Sequence, residues 1–120
     1  MGIKLIASDL DGTLLTDQKT LSYETKRALD MAARRGIYFV PATGRSFKAV
    51  PDIIKELPGV EYIITANGGA LYSVSSGKRI YQRLLEAASV EKALEAERSE
   101  KTVLEVFIDG EPYSEEALVK

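Results

Sequence analysis

Short apolar runs alternate with longer amphipathic segments over the first two-thirds of the chain. Each run has the length of a buried strand, and each segment between two runs has the apolar spacing of a helix that buries one face. The three predicted strands occupy residues 3–8, 37–42 and 60–65. Strands that alternate with helices along a chain form parallel sheets, so the pattern predicts the α/β fold class.

Two helices are predicted between these strands. Ser22 is a suitable N-cap for the first helix, which is expected to run to about Arg35 and to stop at Gly36. The second helix is expected to begin at Ser46 or at Gly44-Arg45, to run to about Leu57 and to end at Pro58-Gly59. The helices complete a strand–helix–strand–helix–strand unit.

The pattern changes after Gly69. A β-hairpin, a linker, a helix and a strand are predicted at residues 70–74 with 78–82, 84–88, 89–98 and 103–108. Ser89 is the expected N-cap of that helix, Asp109-Gly110 is a turn signal, and no element is predicted over 113–120. We therefore predict a boundary near residues 83–88, which separates one domain at 1–85 from the start of an α+β unit at 86–120.

Polar segments that contain glycine or acidic residues follow all three predicted strands. They are Asp9-Leu10-Asp11, Thr43-Gly44-Arg45 and Asn67-Gly68-Gly69. In parallel α/β sheets, ligands bind beyond the carboxyl ends of the strands. The sequence therefore predicts one binding site at this edge of the sheet.

Asp9 and Asp11 are the most informative residues of that site. Residues two apart in a strand point the same way, Gly12 permits a sharp turn, and Thr13 adds a hydroxyl. Two carboxylates aimed at one point repel each other unless a cation or a proton lies between them, and oxygen ligands favour Mg²⁺. Asp9 is the better-placed nucleophile for an aspartyl-phosphate, and Asp11 could act as general acid and base. The alternative is that Asp-Gly only makes a turn at the end of the strand.

The other two segments offer groups that suit a phosphate. Thr43, Gly44 and Arg45 provide a hydroxyl, an unhindered backbone N–H and a guanidinium at a predicted helix N-terminus. Asn67 could present its amide to the ligand. Together with Gly12, these residues form the predicted phosphate-binding set. The alternatives are a helix cap for Thr43-Gly44 and an ordinary loop for Asn67.

Composition narrows the chemistry further. The 120 residues include no Cys and no His, which excludes disulfides, thiolate ligands, cysteine nucleophiles and a Ser-His-Asp triad. A formal net charge of −2 provides no basic footprint for nucleic acid. No signal-peptide pattern and no apolar run of membrane-spanning length are present, so we expect no membrane partner and a cytoplasmic location.

The motifs closely resemble those of the haloacid dehalogenase superfamily, in particular its Cof-type phosphatases. The matching segments are Asp9-Leu10-Asp11-Gly12-Thr13-Leu14-Leu15, Ala42-Thr43-Gly44-Arg45 and Asn67-Gly68-Gly69. The resemblance implies the N-terminal half of a Rossmann-like core, followed by the start of an inserted cap (lid) domain. It also implies Mg²⁺, with Asp9 as nucleophile and metal ligand. Asp11 would be the acid/base and bind the metal through its backbone carbonyl, and Thr43 would bind phosphate.

The chain departs from the family pattern in what it does not contain. The family's third motif is a lysine and its fourth is an acidic Gly-Asp segment, both normally beyond the lid, and this sequence has no Gly-Asp dipeptide. We therefore expect an N-terminal portion of a longer phosphatase, with little activity by itself. The first strand would then be an exposed apolar edge through which the chain could self-associate.

The sequence thus predicts a Mg²⁺-dependent phosphatase that hydrolyses small phosphorylated metabolites, such as sugar phosphates, through an aspartyl-phosphate. Two alternatives stay open. One is phosphoryl transfer of the phosphomutase type, which uses the same aspartate motif. The other is a non-catalytic module that binds phosphate or Mg²⁺.

Overall fold

The computed structural model describes residues 2–98 and 104–114. The chain divides into two compact units, Met1–Gln82 and Arg83–Lys120. In the first unit, strands and helices alternate as β1 (Leu5–Ser8), α1 (Tyr23–Arg34), β2 (Tyr38–Pro41), α2 (Asp52–Lys55) and β3 (Tyr62–Thr65). A hairpin of β4 (Ala70–Ser73) and β5 (Arg79–Gln82) follows.

The strands pair as the sequence predicts. β1 and β2 are parallel, with Leu5 opposite Tyr38. β3 joins β2 through a parallel bridge between Ala42 and Ile64, so the three strands leave the sheet at the same edge. β4 and β5 continue from β3 in antiparallel order, which confirms the predicted hairpin. The α/β fold class is therefore confirmed.

Helix α1 forms where its local signals place it. The Ser22 hydroxyl oxygen accepts a hydrogen bond from Thr25 N–H at 3.2 Å, which satisfies one of the free donors of the first turn. Its buried residue Leu29 packs in a core with side chains from the sheet and from the second connection. That core comprises Leu10, Leu15, Leu29, Phe39, Val50, Ile54, Leu57, Val60 and Ile63.

The prediction of one continuous second helix is wrong. A 3₁₀ turn covers Phe47–Ala49, and α2 begins only at Asp52. Between them Val50 is extended, with φ −71° and ψ 126°. The cause is Pro51, because a proline disfavours helical backbone in the residue before it. Ser46 precedes the 3₁₀ turn, but its side chain makes no capping hydrogen bond there.

The second unit contains helix α3 (Ala87–Glu97) and a hairpin of β6 (Glu105–Ile108) with β7 (Glu111–Ser114). The predicted cap at Ser89 is wrong. Ser89 already lies in the first turn, where its N–H donates to Glu86 O at 3.0 Å, and Glu86 occupies the cap position. The Asp109-Gly110 turn is confirmed as the connection between the two strands.

Part of the segment 113–120, for which the sequence predicts no helix or strand, belongs to a strand. Residues 113 and 114 belong to β7, whereas 115–120 lie outside the described residues, as does Val103 of the predicted strand. The interpretation of this unit as the start of a lid stays a prediction. No helix in the described ranges has both the length and the apolar character needed to cross a membrane.

Candidate active site

A wide turn follows β1 and carries the two predicted carboxylates. Leu15 N–H donates to Leu10 O at 2.9 Å and closes a π-type turn over Leu10–Leu14. Gly12 has φ +74°, a left-handed conformation that glycine adopts without a steric cost. Leu10 and Leu15 are buried in the core, so the turn is anchored on both sides of its polar residues.

Asp9 lies at the junction of β1 and this turn. One carboxylate oxygen accepts from Leu10 N–H at 2.9 Å, and the other lies 3.4 Å from the Thr13 hydroxyl. The residue is exposed. The carboxylate is therefore oriented by its neighbours and still accessible to a ligand from solvent.

Asp11 is held by two cations from different parts of the chain. Arg45 donates to both of its oxygens, from Nε at 2.8 Å and from Nη2 at 2.7 Å. Lys19 Nζ lies 3.0 Å from Oδ1. The hydrogen bonds from Arg45 and then Lys19 hold the pKa of the Asp11 carboxyl well below its usual range. The same pairing raises the pKa of Arg45, so both groups are charged at neutral pH.

The segment after β2 positions Arg45. Thr43 is buried, and its hydroxyl oxygen accepts from Arg45 N–H at 3.1 Å. At the other end of the side chain, Arg45 Nη1 donates to Ala49 O at 2.8 Å. Arg45, predicted as a phosphate ligand, thus directs its donors to Asp11 and to a backbone carbonyl.

The segment after β3 contacts the segment after β2. Asn67 N–H donates to Thr43 O at 3.1 Å, and Ala66 N–H donates to Arg45 O at 3.2 Å. A Cβ on Gly44 would lie 2.9 Å from the Asn67 side-chain oxygen, so only glycine leaves that amide its place. The structure therefore brings together Asp11, Gly44, Arg45 and Asn67 through this chain of contacts.

The sequence does not single out two residues that lie near the site in the structure. Lys19 is eight positions from Asp11, and no motif or periodicity identifies it as a partner of that carboxylate. Thr65, the last residue of β3, is 1% exposed, and its hydroxyl has no hydrogen-bond partner within the described part of the chain. In the sequence Thr65 only ends an apolar segment, and nothing there distinguishes its hydroxyl.

The donors available to a metal fit only part of a Mg²⁺ site. The exposed Asp9 carboxylate is a hard oxygen ligand of the kind that Mg²⁺ takes. The Asp11 carboxylate is instead neutralised by Arg45 and Lys19, so in this arrangement the two aspartates need no divalent ion between them. Within residues 2–98 and 104–114, no three acidic residues are grouped closely enough to hold a metal.

The chain is similar to a family of hydrolases and to individual phosphatases. A family model described as haloacid dehalogenase-like hydrolase matches residues 6–119. Phosphatase YwpJ of Bacillus subtilis is 34% identical over 112 residues, which are 93% of this chain and 39% of that protein. The HMP-PP phosphatase of Klebsiella pneumoniae is 33% identical over 107 residues, 89% of this chain and 39% of its own length.

A solved structure shows the same fold. The chain resembles a haloacid dehalogenase-like hydrolase from Bacillus subtilis with a TM-score of 0.74 and 36% identity, over 88% of this chain and 36% of that one. This likeness confirms the Rossmann-like character of the predicted core. The chain spans about a third of the length of the curated relatives it matches.

Proposed function

Because the chain belongs to the haloacid dehalogenase-like hydrolase family, we propose that it provides the nucleophile and part of the phosphate-binding site of a Mg²⁺-dependent phosphatase. The observation that carries the proposal is the Asp9 carboxylate, exposed at the end of β1 and oriented by Leu10 N–H at 2.9 Å. The proposed substrates are small phosphorylated metabolites. The name of the Klebsiella relative, HMP-PP phosphatase, supports that class.

Asp9 would act as the nucleophile. One carboxylate oxygen forms a bond to phosphorus while the bond from phosphorus to the leaving oxygen breaks, which gives an aspartyl-phosphate and an alcohol. Water then attacks phosphorus, releases inorganic phosphate and regenerates the carboxylate. The exposure of Asp9 supports this role, because the attacking oxygen must reach a substrate that enters from solvent.

Asp11 would be the general acid and base. Ionised as the structure has it, the carboxylate is in the form that can accept the proton of the attacking water, but the two cations beside it weaken it as a base. To donate a proton to the leaving oxygen it must first gain one, and the two cations beside it oppose that step. Both roles therefore require that Arg45 or Lys19 loosens its contact with Asp11 when the carboxyl takes up a proton.

Three further residues would bind the phosphate. The Thr43 hydroxyl can donate its own proton while its oxygen accepts from Arg45 N–H. Gly44 is exposed and leaves its backbone open to a close approach, beside the Asn67 amide. Asp9 and the backbone carbonyl of Asp11 would hold Mg²⁺, which when bound would offset the charge on the phosphoryl oxygens.

Beryllofluoride, which mimics a phosphoryl group on an aspartate, tests the role of Asp9. With Mg²⁺ present, we expect it to raise the unfolding temperature of the native chain by several degrees. Asp9→Asn should abolish that rise, and Asp17→Asn, a change at an exposed aspartate of the following loop, should keep it. An equal rise for Asp9→Asn and the native chain would contradict the proposal.

A non-catalytic phosphate-binding module is the second candidate. It is favoured by the pairing of Asp11 with Arg45 and by the lack, in the described ranges, of an acidic cluster able to hold a metal. Turnover of p-nitrophenyl phosphate separates the two candidates, because a binding module would show none at any length of chain. Phosphoryl transfer of the phosphomutase type would be recognised by an isomeric sugar phosphate among the products in place of free phosphate.

We propose that the second unit is the beginning of a lid domain. Its boundary with the first unit at Arg83 supports a separate module, and its α3 and β6–β7 hairpin support an α+β architecture. Limited proteolysis would test this division. Cleavage should concentrate in the exposed segment 83–86 and leave the first unit as a stable product.

A further inference from the structure

The loop after the wide turn is fixed by its own hydrogen bonds. Thr16 N–H donates to Thr20 O at 2.8 Å, and Lys19 N–H donates to Thr16 O at 2.9 Å. The two threonine hydroxyls are 2.8 Å apart, and Thr20 N–H also donates to Thr16 Oγ1 at 3.2 Å. These contacts determine the backbone of the short segment that carries Lys19.

Lys19 has an unfavourable backbone conformation for its residue type. Its φ is +61°, in the left-handed region where glycine and asparagine are common and a lysine costs free energy. Such strain persists only where the surroundings over-determine the backbone, and it is enriched at functional sites. The loop thus holds a long cationic side chain at a position where another residue would be more stable.

The side chain of Lys19 extends from this loop to Asp11. Its Nζ lies 3.0 Å from Asp11 Oδ1, the same oxygen that accepts from Arg45 Nη2. Arg45 is the more buried partner, with a side chain 27% exposed, and its Nη1 also donates to Ala49 O. The Lys19 side chain is 55% exposed, so it is the more solvated of the two cations, and the Asp11 side chain is 37% exposed.

We propose that Lys19 is a positioning residue of the candidate site, whose ammonium group fixes the Asp11 carboxylate against the Arg45 guanidinium. Lys19 acts through Asp11 and not on the substrate. The purpose of this positioning rests on the proposed function, in which Asp11 exchanges a proton with water and with the leaving group. The contact itself is independent of that function and is measurable without a substrate.

The test uses the 120-residue chain and the side-chain Nε–H of Arg45, observed by NMR. That proton donates to Asp11 Oδ2 at 2.8 Å, so its exchange with water reports how well the carboxylate is held. Lys19→Asn removes the ammonium group and suits the left-handed backbone, so its unfolding temperature should equal or exceed that of the native chain. Lys19→Arg keeps the charge, and Lys26→Gln changes an exposed lysine of α1 as a control.

We expect the Arg45 Nε–H to exchange about two- to fivefold faster in Lys19→Asn, the range of an exposed ion pair. The rate should return towards the native value in Lys19→Arg and stay unchanged in Lys26→Gln. An unchanged rate in Lys19→Asn, or no recovery in Lys19→Arg, overturns the proposal. Beryllofluoride stabilisation of the native chain is measured in parallel, so a failure of the phosphatase proposal is seen separately from a failure of the Lys19 contact.

Discussion

Arg45 donates two hydrogen bonds to Asp11, at 2.8 and 2.7 Å, and so joins the segment after β2 to the turn after β1. A guanidinium matches both oxygens of a carboxylate, whereas an ammonium group cannot. The Asp11–Arg45 pair therefore connects two of the three strand ends that form the candidate site.

Removal of either partner of this pair should destabilise the chain. We expect a coupling free energy of about 0.5–1 kcal/mol between Arg45→Ala and Asp11→Asn, because the pair is partly exposed and solvent weakens it. Urea unfolding of the two single variants and the double variant gives this value. Arg27→Ala, at an exposed arginine of α1, should show no coupling to Asp11→Asn. Coupling no larger than in that control would mean that the pair does not form in solution.

The same pair predicts how stability depends on pH. Hydrogen bonds from Arg45 and Lys19 lower the pKa of Asp11 in the folded chain, while an aspartate in the unfolded chain has a pKa of about 3.9. The contribution of Asp11 is therefore complete above that unfolded pKa and is lost as the pH falls towards the folded pKa. The free energy of unfolding should fall more steeply below about pH 4 in the native chain than in Asp11→Asn. Parallel slopes for the two proteins would contradict the lowered pKa.

The sequence correctly predicted those elements whose determining contacts lie within one turn of a helix. Helix α1 begins directly after Ser22 because that hydroxyl accepts from Thr25 N–H, and both residues are visible in the sequence. The prediction of the second helix was wrong because two sequence signals conflict within it. Its apolar spacing continues through Val50 and Ile54, which are indeed buried, but Pro51 prevents a continuous helix between them.

Topology predicted that the three polar segments meet, since parallel strands present their carboxyl ends at one edge. It could not predict which atoms pair. The sequence predicts a phosphate as the partner of Arg45, yet the side chain donates to Asp11, 34 positions away. No sequence signal identifies Lys19, because its contact depends on a left-handed backbone that a lysine rarely adopts.

Gly12 should be required for the wide turn. A side chain at φ +74° costs about 1–2 kcal/mol, so Gly12→Ala should lower the free energy of unfolding by that amount. No atom lies within 4 Å of the added Cβ, so the cost comes from the backbone alone. Gly2→Ala is the control, since that glycine also has open space and is not left-handed. Chemical denaturation of both variants measures the difference, and equal stability would show that the turn tolerates a side chain.

Two buried threonines should respond in opposite directions to the same substitution. Thr65 has a hydroxyl without a partner in the described part of the chain, so Thr65→Val should stabilise the chain by about 1 kcal/mol. The Thr43 hydroxyl accepts from Arg45 N–H, so Thr43→Val should destabilise it by about 1–2 kcal/mol. Unfolding curves of the two variants compare the signs directly. A loss of stability in Thr65→Val would show that its hydroxyl has a partner in solution.

The edge of the sheet at β1 should make the chain self-associate. Among the described strands β1 pairs only with β2, and Ile3, Leu5 and Ile6 next to or within it are 69%, 54% and 37% exposed. An apolar strand with one unpaired side recruits another strand, and a second copy of the chain offers the same edge. Light scattering should therefore give a mass that rises with concentration above the 13.2 kDa of one chain. Leu5→Lys should restore the single-chain mass by placing a charge on the edge, whereas Met31→Lys, at an exposed apolar residue of α1, should not. A constant single-chain mass for the native protein up to the highest concentration would rule out this association.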